Sequence, residues 1–206
     1  GNPRKFYTVA EHFGLKGMVG ISLEYRLINK KLGTTVFDCV KDGRSAVRYL
    51  RQHADELGID PNRIVVAGGS AGGHVTLGTA LLEFDERGED TSISCVPNGL
   101  IPLNPVIDTS KTGYGQAKIG DRWRELSPVH QVKSGLPRML IFHSTGDIVT
   151  PYAGAKRFTE LSVAAGNDCE LVTYEGGRHG YFIFDLEAYR GVMKRMTQFL
   201  EAGGYL

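Results

Sequence analysis

The stretch Ile64-Val65-Val66-Ala67-Gly68-Gly69-Ser70-Ala71-Gly72-Gly73-His74 decides how the rest of the chain is read. Its first four residues are apolar and mostly β-branched. They follow the turn residues Asp60-Pro61-Asn62, so the run reads as a fully buried strand. Residues 74–83 predict a helix, and residues 68–73 form a glycine-rich hinge between the two. Gly68-Gly69-Ser70-Ala71-Gly72 fits G-x-S-x-G. Between a strand and a helix, that pattern reads as a nucleophile elbow, a sharp turn that pushes a serine hydroxyl out past the strand's carboxyl end. Gly68 and Gly72, two residues before and after Ser70, are expected to remove Cβ atoms that would clash. The helix start behind the serine offers N–H groups and partial positive charge to a developing oxyanion. A phosphate-binding loop would end in Lys-Ser/Thr, which is absent here.

Outward from the elbow, short apolar runs alternate with amphipathic stretches. Residues 3–15 show helical spacing of Phe6, Val9, Ala10 and Phe13. Residues 18–23 (MVGISL) have strand character. Residues 35–57 form a long predicted helix with Val36, Val40, Ala46, Val47, Leu50 and Leu57 along one stripe and Gly58 as its C-terminal cap. Further strands are expected at 100–103, 138–143 and 170–174, and further helices at 151–165 and 185–202. This β–α alternation predicts an α/β fold, a mostly parallel sheet with helices on both faces. Residues 1–206 read as one domain. Residues 108–135 show little periodicity, and a long irregular segment of this kind is expected to cover a pocket.

Composition excludes several function classes. Lys+Arg 24 against Asp+Glu 23 leaves a formal charge of +1, without the clustered positive charge of a nucleic-acid groove. No apolar run reaches the ~18 residues of a membrane span. Cys39, Cys95 and Cys169 are far apart and unpaired in spacing, which implies neither a disulfide framework nor a zinc site. No metal or organic cofactor is implied. The opening Gly1-Asn2-Pro3-Arg4-Lys5 lacks the apolar core of a signal peptide, and the compartment is not assigned.

A serine hydroxyl needs a base, and the base an orienting acid. Asp147, in HSTGDIVTP, comes 147−70 = 77 residues after Ser70, and His179, in EGGRHGYF, comes 179−147 = 32 residues later. Both follow predicted strands, where open α/β sheets form their crevice. Gly176, Gly177 and Gly180 suit a loop that delivers the His179 side chain. Asp108 also follows a strand and is the rival acid, whereas Asp185 lies beyond His179. His74 is expected to pack or cap on the helix after the elbow, and His143 to be buried and hydrogen-bonded. His12, His53 and His130 read as surface or helix residues. Tyr181, Phe182 and Phe184 read as core or pocket wall. Gly69, Tyr114, Trp123 and Tyr181 are the expected pocket residues.

With these residues placed, the chain resembles the α/β-hydrolases, in particular the esterase/lipase branch of hormone-sensitive-lipase-like and xylan-esterase-like enzymes. The likeness rests on GMVGISLEYRL, on DCVKDGRSAVRYLR through ELGIDPNRIVVAGGSAGGH, on LNPVIDTS, on HSTGDIVTP and on YEGGRHGYF. It implies Ser70 as nucleophile, His179 as base and then acid, Asp147 as orienting carboxylate and the Ala71 N–H as an oxyanion donor. It also implies hydrolysis of short-chain acyl or acetylated-sugar esters. The same elbow and triad order serve prolyl-oligopeptidase-like peptidases, and an impaired scaffold could act as a binding module. The His-Gly-Gly-Gly-type loop of that branch does not occur in this sequence. The resemblance therefore predicts an N-terminally truncated version of the fold, a gap in the sheet, a reduced rate from an incomplete oxyanion hole, and self-association into a homo-oligomer.

Overall fold

Strands β1 (Val65–Gly69), β2 (Gly99–Leu103), β3 (Arg138–Ser144) and β4 (Cys169–Tyr174) pair in parallel in the order β1-β2-β3-β4 in the computed structural model, which describes residues 3–206. Parallel neighbours need crossover connections, and helices supply them. The helices are α1 (Tyr7–Gly14), α2 (Val36–Gln52), α3 (Ala54–Leu57), α4 (Ala71–Leu81), α5 (Gln116–Ile119), α6 (Tyr152–Ala164) and α7 (Leu186–Ala202). Side chains alternate across the sheet. Leu100, Met139 and Ile141 pack with Val40, Leu77 and Phe158 from α2, α4 and α6. Ile101, Leu103, Leu140 and Phe142 pack with Phe13, Met196 and Phe199 from α1 and α7. Both faces are thus covered, and every residue of β2 is buried, as its unbroken run of non-polar residues requires.

Local signals explain the boundaries. Thr35 and Asp38 form a capping box at the start of α2, with the Thr35 N–H donating to Asp38 Oδ2 at 2.7 Å. The long helix expected over 35–57 breaks at His53 into α2 and α3. Gly58 then ends α3 in the left-handed region, φ +64°.

Two expectations are corrected. Residues 18–23 form no strand. Val19, Ile21 and Leu23 are exposed, and among the described residues β1 pairs only with β2. A cleft of about 1920 Å³ is lined by residues of this segment and by β1. Arg26 ties the segment down, its backbone N–H and guanidinium both donating to the Asp42 carboxylate and its guanidinium also to Glu86. The segment 108–135 is not irregular throughout. It holds α5 and 3-10 turns over Asp121–Leu126 and Pro128–His130, and Leu126 and Val129 are core residues. The buried His74 donates its Nε2–H to the Leu126 carbonyl at 2.6 Å, fastening this segment to α4.

The elbow is where β1, α4 and the turn after β2 come closest. A Cβ on Gly68 would sit 2.5 Å from the Gly72 carbonyl oxygen, and one on Gly73 would sit 2.8 Å from Pro105 Cβ. A Cβ on Gly72 would meet only the Tyr25 hydroxyl, at 3.9 Å. The glycine demanded after the serine is therefore Gly73, not the Gly72 of the pattern. Gly73→Ala is expected to cost about 1–3 kcal/mol by overpacking. Gly72→Ala should stay within about 0.5 kcal/mol of the parent or stabilise it. Urea unfolding midpoints compare the two, and equal midpoints would refute the assignment.

Candidate active site

Ser70 sits between β1 and α4 with φ +56° and ψ −117°, a left-handed-side conformation that costs a non-glycine residue about 1–3 kcal/mol. Three backbone hydrogen bonds hold it there. The Ser70 N–H donates to the Leu103 carbonyl at 2.9 Å, and its own carbonyl accepts from His74 N–H at 3.1 Å and Val106 N–H at 3.3 Å. Ala71 is the first residue of α4, so its N–H has no carbonyl one turn earlier within the helix to bond.

His179 reaches Ser70 from the loop after β4. Its Nδ1–H donates to Asp147 Oδ2 at 2.7 Å, which leaves Nε2 to accept from the Ser70 hydroxyl at 2.8 Å. The loop bends through Gly176, Gly177 and Gly180, all near φ +70°. It lies against the loop of Asp147. The Gly146 N–H donates to the Gly176 carbonyl at 2.8 Å, and a Cβ on Gly146 would come within 2.4 Å of the Gly177 oxygen. Ser144 Oγ donates to the Arg178 carbonyl at 3.2 Å.

Asp147 is buried. Burial by itself would raise its carboxyl pKa. The His179 hydrogen bond, the N–H groups of Thr150 and Val149 and the Thr150 hydroxyl outweigh it and hold the group well below the usual carboxylate range. Burial instead pushes the His143 imidazole below its ordinary value. Its Nε2–H donates to the Thr150 carbonyl at 2.7 Å.

The structure brings Ser70, Asp147 and His179 within hydrogen-bonding distance of one another in sequence, with Ala71 and Gly69 alongside. The other expected pocket residues lie elsewhere. Tyr114 lines a small crevice with Asp108 and Pro151, its hydroxyl accepting from Lys118 Nζ. Trp123 packs edge-on against His130. Tyr181 is buried and stacked on Tyr174. Ile183, Phe184 and Leu186 instead line the cleft beside His179 and are exposed there. The rival acid Asp108 accepts from Ser110 N–H and serves a turn, and Asp185 accepts from Ala188 N–H and caps α7. Asn104 escaped the sequence reading. It is buried after β2 and donates Nδ2–H to Asp147 Oδ2 at 3.1 Å. Its place directly after a strand is the one signal that pointed to it. Among the described residues, no three His, Cys, Asp or Glu side chains gather as a metal site.

Residues 2–113 match the BD-FAE family model, and residues 121–205 match that of the TAP-like proteins. The apo form of Thermogutta terrifontis esterase 2 superposes with a TM-score of 0.93 at 39% identity, over 100% of this chain and 80% of that one. Its butyrate-bound form gives 0.90 at 38% identity, over 100% and 80%. Esterase LipC of Mycobacterium tuberculosis is 26% identical over 201 residues, 87% of this chain and 49% of LipC. The probable isoprenylcysteine alpha-carbonyl methylesterase ICMEL1 of Arabidopsis thaliana is 26% identical over 174 residues, 70% of this chain and 36% of that protein. The chain thus spans about half or less of the length of these two curated relatives. A parallel sheet with a serine elbow after its first strand, matched over most of its length, places the chain in the BD-FAE family of the α/β-hydrolase esterase superfamily.

Proposed function

We propose that the chain is a carboxylic ester hydrolase working through Ser70, His179 and Asp147. The observation that carries this is the unbroken relay Ser70 Oγ–His179 Nε2 at 2.8 Å and His179 Nδ1–Asp147 Oδ2 at 2.7 Å. In this reading the Ser70 oxygen attacks the ester carbonyl while Nε2 takes its proton. The imidazolium so formed keeps its Nδ1–H on Asp147. The carbonyl oxygen, now negative, accepts from the Ala71 N–H at the start of α4. Collapse expels the alcohol, which takes the proton from Nε2 and leaves Ser70 acylated. Water then enters by the same steps in reverse, with His179 as base, and frees the acid.

Short-chain acyl esters are the substrates we infer. Solved forms of the Thermogutta terrifontis esterase carry propionate and butyrate. In this chain the apolar Ile183, Phe184 and Leu186 line the cleft beside His179, where a short acyl or alkyl group would lie. The domain is proposed to act as one unit over residues 1–206, with no organic cofactor or metal in the reaction.

We further infer a homo-oligomer. The outer edge of β1 has no ladder partner among the described residues, and an open edge of backbone N–H and C=O groups invites pairing with a second copy.

A fluorophosphonate probe should label Ser70, and Ser70→Ala should abolish both labelling and hydrolysis of p-nitrophenyl acetate and butyrate. His179→Ala and Asp147→Asn should each lower kcat by roughly 10²–10⁴. A folded Ser70→Ala protein that keeps parental activity overturns the reading. Cleavage of aminoacyl-nitroanilides in preference to the esters would turn it into a peptidase. Light scattering after size exclusion should give at least twice the 22.5 kDa of one chain, and a stable monomer removes the oligomer.

A further inference from the structure

Ser70, Asp147 and His179 follow β1, β3 and β4. The strand between β1 and β3 ends on Leu103 and is followed directly by Asn104, which that set leaves unused. Among the described residues, Ser70 and Asn104 are the two non-glycine residues with positive φ, +56° and +42°, at the ends of adjacent strands. The backbone here joins both neighbours. Leu103 accepts from Ser70 N–H at 2.9 Å, and Asn104 N–H donates to Phe142 at 2.8 Å.

The side chain then acts on Asp147. Asn104 Nδ2 donates to Oδ2 at 3.1 Å and lies 3.4 Å from Ser144 Oγ. That same Oδ2 accepts from His179 Nδ1–H at 2.7 Å and from the Thr150 hydroxyl at 2.9 Å. An amide nitrogen can only donate, so its orientation is set by the carboxylate it faces. It fixes the rotation of Asp147 and draws on the same oxygen charge that steadies a protonated His179. The other titratable or charged side chains around the pair are His143 and Arg178. His143 Nε2 is 3.6 Å from Oδ2 but donates to Thr150, and the Arg178 guanidinium turns onto the Phe184 ring.

Resting on the hydrolase reading above, we propose that Asn104 is a positioning residue that sets the basicity of His179 through Asp147. It touches no reacting atom. A purely structural Asn104 would affect stability and leave the titration of His179 where it is.

Asn104→Gly tolerates positive φ and changes the side chain without forcing the backbone, and Asn104→Ser replaces the amide with a shorter hydroxyl. Histidine-selective NMR of the full chain follows the His179 titration directly, with or without turnover. Losing the competing donor in Asn104→Gly or Asn104→Ser should raise the midpoint. The acid limb of the kcat/KM profile for p-nitrophenyl butyrate should move with it, and kcat should fall roughly ten-fold as the carboxylate loosens. Asn104→Gly decides wherever it folds. Where it does not, Asn104→Ser decides on the same readout. A midpoint unchanged in the deciding variant overturns the proposal, even in an active esterase. A midpoint that rises in a protein whose parent hydrolyses neither ester nor amide overturns the hydrolase reading and leaves the coupling standing.

Discussion

A carboxylate taken out of water protonates unless donors replace its hydration. Asp147 has five. Oδ1 accepts from the N–H groups of Val149 and Thr150 at 2.8 and 2.9 Å. Oδ2 accepts from His179, the Thr150 hydroxyl and Asn104. These donors come from the turns after β2, β3 and β4, three stretches far apart in the chain. One buried charge therefore holds three loops in register, and loss of any donor leaves the remainder to carry the desolvation of that charge. The histidine ring is aimed at Ser70 because its other nitrogen is committed to this carboxylate.

The sheet imposes a distance that the loops must overcome. Neighbouring strands lie about 4.8 Å apart, so β1 and β4 are separated by roughly 14 Å. His179 nevertheless stands 2.8 Å from Ser70. The loop after β4 has to lean back across the ends of β3 and β2 to reach it. Gly176, Gly177 and Gly180 supply the left-handed turns for that path. Gly146 supplies the clearance, since a side chain there would collide with the Gly177 carbonyl. The glycines around His179 and the one before Asp147 are thus two halves of a single crossing.

Much of this was legible in the sequence because it is local. A buried strand, a glycine hinge and a helix are contiguous, and the positions of Asp147 and His179 after strands follow from the same reading. What depends on neighbours across the sheet was not legible. Asn104 carries no motif, and its meaning comes from β2 lying between β1 and β3. Gly73 rather than Gly72 is the crowded position because Pro105, more than thirty residues away, packs over it. Tyr114 and Trp123 were misplaced for a related reason. Aromatic residues in an aperiodic stretch suggest a pocket, but Leu126 and Val129 anchor that stretch in the core, Trp123 packs on His130 and Tyr114 pairs with Lys118, and neither aromatic lines the cleft at Ser70.

Residues 18–23 show the limit of strand propensity most directly. β-branched and apolar residues favour extended backbone, but a strand exists only where a ladder partner is present. Val19, Ile21 and Leu23 are exposed, and they line one cleft together with β1. At about 1920 Å³ the cleft is larger than the roughly 300–1,000 Å³ of an ordinary small-molecule site. A short-chain ester would fill only the end near Gly69, Ser70 and His179. The rest of the lining includes Val65, Val66 and Ala67 of β1 together with the apolar Val19, Ile21 and Leu23. In the reading proposed above, a short ester and a pairing strand would occupy different parts of one cavity, because β1, the strand that presents the serine, also has an open edge among the described residues.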